Sequence, residues 1–322
     1  MSVELVHVYR NNLVESIHRF DVVAVKNSEI IFSYGDPYKE TFWRSSAKPF
    51  QVIPFLESGG RKAYDIYGEE LALMTSSHGG EEEHVKTVKS IFKKMKVSTD
   101  LLDCGTSAPM YSGEFKRMIK ENLPFTPLNN PCSGKHSAMI GYGLLNNIDL
   151  DNYIDKDHPI QKKMLSVVAD YTDMDKDKIH IAIDGCGVPV FGLPIYNMAL
   201  AYEKLSSDKP FMKEISKAMT THPYYVAGTG RLDTIIMEET KCRILAKLGA
   251  ESVYCMTDLK NKLAIAIKTE DGAYRALDAL VPDLLFHHDL IDEIELKAIK
   301  ARLPLQIKNH RKEIVGTYKT LL

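Results

Sequence analysis

The chain has 322 residues, 44% hydrophobic and 26% charged, which supplies enough apolar surface for a sizeable core and excludes global disorder. Lys and Arg number 41 against 43 Asp and Glu, so the net charge is −2 and no basic footprint for nucleic acid exists at chain level. No run reaches the ~18 apolar residues of a membrane span, and five dispersed cysteines, an odd number, do not make a disulfide framework.

The first residues, MSVELVHVYRNN, carry neither a basic n-region nor an apolar h-region, so they are not read as a secretory signal, and a reducing cytoplasm is expected. Residues 3–34 alternate or run β-branched, with Asn11-Asn12 and Asn27-Ser28 at turns, the pattern of an antiparallel meander. From Ser45 the texture becomes helical, with Gly59-Gly60 as a stop and Pro54 as a kink. A longer amphipathic helix fits EEEHVKTVKSIFKKMK, its glutamates at the N-terminal end and its lysines at the C-terminal end, as the helix dipole favours. Further helices fit 112–122, 134–146, 159–172, 195–205, 209–220 and 273–284. KIHIAID, CRILAKLG, SVYCMTD and KLAIAIKTE read as strands. Strands thus cluster towards both ends with helices between them, which predicts an α+β fold and not the alternating units of a Rossmann sheet. Length alone permits one large domain or two. The expectation here is a single unit over 1–322 with a helix-rich lobe at about 80–175.

Six short segments carry chemistry. Ser45-Ser46-Ala47-Lys48 is an S-x-x-K, in which positions i and i+3 share a helix face and the amine reaches the seryl oxygen. A free lysine, with a pKa of about 10.4, is neutral in about one molecule in two thousand at pH 7. A basic Lys48 therefore has to be buried or crowded by other cations; read alone, the pattern is also a capping serine before a surface lysine. Ser77-His78-Gly79-Gly80-Glu81 either offers a second hydroxyl to a site or caps the next helix. Cys132-Ser133-Gly134-Lys135-His136 resembles a P-loop only superficially, because Asn129 stands at the first glycine and His136 at the magnesium-binding hydroxyl. What it does gather is a thiol, an amine and an imidazole, or simply a buried cysteine beside a helix cap. Asp184-Gly185-Cys186-Gly187 follows a strand, a place where site residues often stand, although two cysteines do not by themselves close a zinc site. Arg231, in GTGRLDT, either clamps a substrate carboxylate or pairs with Asp233. Lys268 ends a strong strand before the Asp271-Gly272 turn, as part of a cationic site or of a plain hairpin.

Taken together, RSSAKPFQ (44–51), SSHGGE (76–81), CSGKH (132–136), HPIQ (158–161), DGCGVP (184–189), HPYYVAGTGRLDT (222–234) and LAIAIKTEDG (263–272) resemble the asparaginase II family of thermolabile, rhizobial-type L-asparaginases, in the family's order and over nearly the whole chain. The resemblance implies a serine β-lactamase-like or glutaminase-like fold: an antiparallel sheet of N- and C-terminal strands, flanked by helices, with an inserted helical lobe. It also implies hydrolysis of L-asparagine to L-aspartate and ammonia by a cytoplasmic homodimer. By the same resemblance Ser45 is the nucleophile with Lys48 as its partner, and Ser77 is a second serine served by Lys268. Cys132, Lys135 and Cys186 form a zinc site, His136 and Asp184 line the substrate pocket, and Arg44 neighbours the nucleophile; Arg44 and, from its own segment, Arg231 are expected to bind substrate. Lys268 is expected to keep Lys48 neutral, and the Ser77–Lys268 pair to relay a proton to departing ammonia. Cys255 is a further thiol that could face the site. The chain departs from the pattern at Pro131, where Asn is expected, and at Ser137-Ala138; it has K-T-E at 268–270, not the K-T-G of β-lactamases, and no S-D-N. A glutaminase or a penicillin-recognising acyl enzyme is the alternative within the class, since one methylene separates Gln from Asn and is worth only about 1–3 kcal/mol. A non-catalytic zinc or amino-acid binding module is the alternative outside it.

Overall fold

The structure, a computed structural model, describes all 322 residues. The N-terminal meander consists of β1 (Val3–Arg10), β2 (Leu13–Lys26) and β3 (Glu29–Tyr34), joined by two-residue turns. Asn27 and Ser28 both hold positive φ, as the turn type that matches strand twist requires. A three-stranded sheet combines β4 (Glu40–Phe42) with the hairpin β5 (His180–Ile183) and β6 (Pro189–Pro194) in the order β4-β6-β5. The C-terminal third adds β7 (Ile244–Gly249), β8 (Val253–Asp258), β9 (Leu263–Thr269), β10 (Gln306–Lys308) and β11 (Ile314–Thr320). The main sheet runs β10-β11-β1-β2-β9-β8-β7, with β3 also on β2, and every pairing in it is antiparallel.

Strand β2 joins the two ends of the chain. Its first half pairs with β1, while Phe20 to Val25 pair with β9 from Thr269 to Ala264. Every residue of β7, β8 and β9 is buried. Successive side chains point to opposite faces of a strand, so both faces of this part of the sheet are covered. The helix Ile195–Lys204 packs on β2, β8 and β9, and the helix Leu232–Glu239 on β7. One apolar cluster extends from Leu5 to Leu303. No helix is long and apolar enough to cross a membrane.

The predicted helices at 81–96 and 159–172 appear as Glu82–Met95 and Pro159–Thr172. The segment after Ser45 is more broken than its composition implied. It forms a 3-10 turn over Arg44–Ala47 and then the short helices Lys48–Gln51 and Ile53–Glu57. Pro49 and Pro54 each sit in the first turn of one of these pieces, where a missing N–H costs nothing, and the chain restarts at each.

Candidate active site

Two pieces of local structure bring Ser45 and Asp184 together. Strand β4 is antiparallel to β6, and the Trp43 N–H extends the ladder to the Phe191 carbonyl at 2.8 Å. Arg44 and Ser45 therefore emerge at the end of β6 where the β5–β6 turn, Asp184 to Val188, also lies. That turn is closed by hydrogen bonds from Asp184 N–H to Val188 O and from Gly187 N–H to Asp184 O, both 2.9 Å. Arg44 then reaches across, its Nε donating to Asp184 Oδ1 at 3.0 Å, from a backbone with φ of 51°. Such left-handed geometry is uncommon in a residue with a side chain and persists where surroundings impose it. On the other side, the Ser46 hydroxyl donates to the Lys247 carbonyl at 2.9 Å, fixing the Ser45 turn to β7. Strand β7 ends the main sheet, so one row of its backbone groups has no neighbouring strand.

These elements enclose a cavity of about 240 Å³. Ser45, Ser77, Arg44, Asp184, Cys132, Cys186 and Arg231 all contribute to its wall, with the β7 tip Leu248 to Ala250 opposite. Ser77 is held there by its backbone N–H, which donates to Val226 O at 2.9 Å. Lys48 lies behind the wall, buried, its Nζ donating to Ser76 O at 2.7 Å and Pro131 O at 3.1 Å; it makes no hydrogen bond to Ser45. The 3-10 geometry nonetheless keeps the two on one side, because i and i+3 eclipse in such a turn.

Cys132 begins the helix Ser133–Leu145, and Asn130 orients it by accepting the Cys132 N–H at 2.9 Å. Cys132, Asp184 and Cys186 present two sulfurs and a carboxylate oxygen within 4.8 Å of one another. Lys135 Nζ donates to Cys186 Sγ at 3.1 Å and stands 4.0 Å from Asp184 Oδ2. The Cys132 thiol donates to Cys186, which brings the Cys186 pKa down to about 5 against the opposing effect of burial, with the Lys135 charge assisting. That same bond, with burial, pushes Cys132 up to about 12. Burial alone would discharge Lys135, but Cys186, Cys132 and Asp184 outweigh it and hold its pKa above the ordinary lysine value. Asp184 resists burial likewise, kept below the usual carboxyl range by Lys135, Arg44 and the Gly185 N–H. This donor set fits zinc. Bonds of about 2.3 Å to two thiolates leave the sulfurs about 3.8 Å apart in a tetrahedral shell, within the spacing found. Lys135 would have to give up its proton to join them.

His136 is not on the cavity wall. It is buried, its Nδ1 is 2.6 Å from the Tyr153 hydroxyl, and its Nε2 has no partner. Burial and the Lys135 charge lower its pKa to about 3, so the ring is neutral. Lys268 lies away from Ser77: its Nζ donates to the carbonyls of Glu251, at 2.6 Å, and Thr269. The expected Ser77–Lys268 contact is not formed, because those two carbonyls hold the Lys268 amine and Lys268 is absent from the cavity wall. The buried amine close to Lys48 is instead Lys247, which the sequence did not mark. Burial, with a contribution from the Lys48 charge and despite Asp233, brings its pKa to about 7. The only trace of it in the sequence is one charge inside the apolar run ILAKLG. Cys255 is buried in β8 within the apolar core and is absent from the cavity wall.

Among curated proteins nothing matches the chain significantly. Among solved structures, the chain is similar to the crystal structure of a beta-lactamase from Mycobacterium bovis, at 12% identity and a TM-score of 0.42, over 84% of this chain and 94% of that one. The family model described as L-asparaginase II matches residues 6–320. The chain therefore belongs to the L-asparaginase II family and is an amidohydrolase of the L-asparaginase type.

Proposed function

We propose that the protein hydrolyses L-asparagine through an acyl-serine formed on Ser45. The observation that carries this reading is the position of Ser45: it lines the cavity, on a turn pinned to β7 at the Lys247 carbonyl and three residues before the buried Lys48. An amide is a poor electrophile with a poor leaving group, and a covalent intermediate divides its hydrolysis into two easier steps. Burial, with the Lys48 charge nearby and against Asp233, makes Lys247 the amine that sheds its proton near pH 7. The amine left without a proton accepts that of Ser45 as the seryl oxygen bonds to the side-chain carbonyl carbon. The C–N bond then breaks, and nitrogen leaves as ammonia with a proton delivered by the Ser77 hydroxyl, which takes in exchange the Ser45 proton held by the amine, so that the amine is free again. Water enters, the same amine takes its proton, and as the ester opens to L-aspartate that proton passes to the departing seryl oxygen, restoring Ser45. Arg44 acts by holding Asp184, and His136, bonded to Tyr153 behind the wall, takes no part in bond making.

Cys132, Cys186 and Lys135 would hold zinc beside Asp184, where it would supply a fixed positive charge at one end of the cavity. Metal analysis of the purified protein checks this: about one zinc per chain in the wild type, and loss of it with a raised KM in Cys186→Ser.

The experiment that tests the nucleophile is an ammonia assay on L-asparagine with Ser45→Ala. Turnover should fall by about 10⁴-fold or more, as for other serine nucleophiles, with circular dichroism unchanged. Activity within tenfold of wild type would remove Ser45 from the mechanism.

A further inference from the structure

Beyond Arg231 the active-site cavity continues into a second one of about 180 Å³, lined by Gly230, Arg231, Leu232, Leu248, Tyr274, Leu277 and Asp278. Arg231, Leu248 and Tyr274 belong to both walls. Tyr274 and Asp278 are one turn apart on the helix Tyr274–His287, so their side chains share its cavity face. Arg231 and Asp278 are both half-buried, and neither side chain makes a hydrogen bond or an ion pair with any residue of the protein. Burial, helped by Asp233, raises the Asp278 pKa to about 6 although the Arg231 charge is near enough to oppose it, and the two side chains do not close on each other. An unpaired cation and an unpaired anion across a shared cavity are complementary to a ligand that carries both charges, because each is costly to leave half-desolvated alone.

We propose that Arg231 and Asp278 bind the charged end of the amino-acid substrate, Arg231 taking the α-carboxylate and Asp278 the α-ammonium. The inference rests on the reading of Ser45 as the group attacked by the side-chain amide. With the carboxylate on Arg231, at the junction of the two cavities, the substrate's Cα presents its amide arm to Ser45 and its ammonium to Asp278. Three arms of one tetrahedral carbon then have three different partners, an arrangement that selects the amino acid over its desamino analogue and one enantiomer over the other. Asp278 is a specificity residue in this scheme and takes no part in bond making.

The test compares competitive inhibition of L-asparagine hydrolysis by L-aspartate and by succinate, which lacks only the ammonium, in wild type, Asp278→Asn and Asp278→Glu. Loss of one charged hydrogen bond should raise the inhibition constant of L-aspartate in Asp278→Asn by about tenfold or more. Succinate should bind Asp278→Asn no more weakly than wild type, and Asp278→Glu should restore part of the preference for L-aspartate. Equal weakening of both inhibitors, or no change in either, overturns the assignment. The outcome is separable from the nucleophile reading, because Ser45→Ala tests turnover whereas this ratio tests recognition in the active enzyme.

Discussion

Lys247 carries its amine on a strand buried at every position, and its one side-chain hydrogen bond runs to the Leu248 carbonyl. A carbonyl stabilises an ammonium less than a carboxylate does, and the nearby Lys48 charge opposes protonation further. With a pKa of about 7 the amine is free above that pH and charged below it. If Lys247 is the base, kcat/KM should be level in mildly alkaline buffer and fall about tenfold for each pH unit below 7. Lys247→Ala should lower kcat by about 10²–10⁴-fold. A profile flat between pH 5.5 and 8 would exclude Lys247 as the base. The contrast with Lys268 shows which features of the site are legible in a sequence. Ser45, Ser77, Cys132, Asp184 and Cys186 each stand in a short motif with glycine or serine neighbours, and all five meet at the cavity. Lysines on strands carry no such punctuation. Register across three strands puts both amines on one face of the sheet, Lys247 in the row of Cys255 and Ala266 and Lys268 two residues further along β9, and which of them lies near the site depends on that register. Asp278 was hidden for the same kind of reason, since only the meeting of two helices with β7 creates the second cavity.

The helix Ser133–Leu145 illustrates how an element places catalytic groups it does not itself contain. At Gly134 a side chain would collide with the backbone carbonyl of Leu73, in the helix Gly68–Met74. Glycine lets the two backbones approach closely, and that approach sets the Ser76 and Pro131 carbonyls around Lys48. Gly134→Ala should therefore destabilise the protein by about 1–3 kcal/mol, as overpacking against an unyielding backbone does. Denaturant titration should show it, with Gly185→Ala, where the added Cβ meets nothing within 4 Å, unfolding near the wild-type midpoint. The same scale explains the uneven legibility of the elements. Glu82–Met95 buries six residues on one face, among them Val88, Ile91, Phe92 and Met95, so periodicity reveals it. Glu293–Arg302 buries only Ile299 and offers no stripe to read. Leu232–Glu239 buries six of its eight residues in succession, so its apolar run has no helical period to betray it.

At the scale of the molecule, the order of secondary structure along the chain was sufficient to predict an antiparallel α+β arrangement, because strands at 3–34 and 244–269 can cover their apolar faces only by pairing around what lies between. It was not sufficient to predict how the smaller sheet attaches. Trp43, the only tryptophan, makes that junction. Its backbone extends the β4–β6 ladder, and its fully buried ring packs against Phe50 at 5.1 Å and Tyr202 at 6.3 Å between centroids. Tyr202 in turn donates its hydroxyl to Ser46 O at 2.8 Å, from a helix that rests on β2, β8 and β9. The ring thus borders the nucleophile turn, the smaller sheet and the main sheet together. Chains of this size often unfold in stages, and a helix-rich lobe at 80–175 with its own core would do so before the sheet. A single apolar cluster linking the lobe to both chain ends argues for joint unfolding instead. Trp43 fluorescence and far-ultraviolet circular dichroism should therefore report coincident transitions in guanidinium chloride. Loss of helical signal at a denaturant concentration where the tryptophan is still buried would show the lobe to be an independent unit.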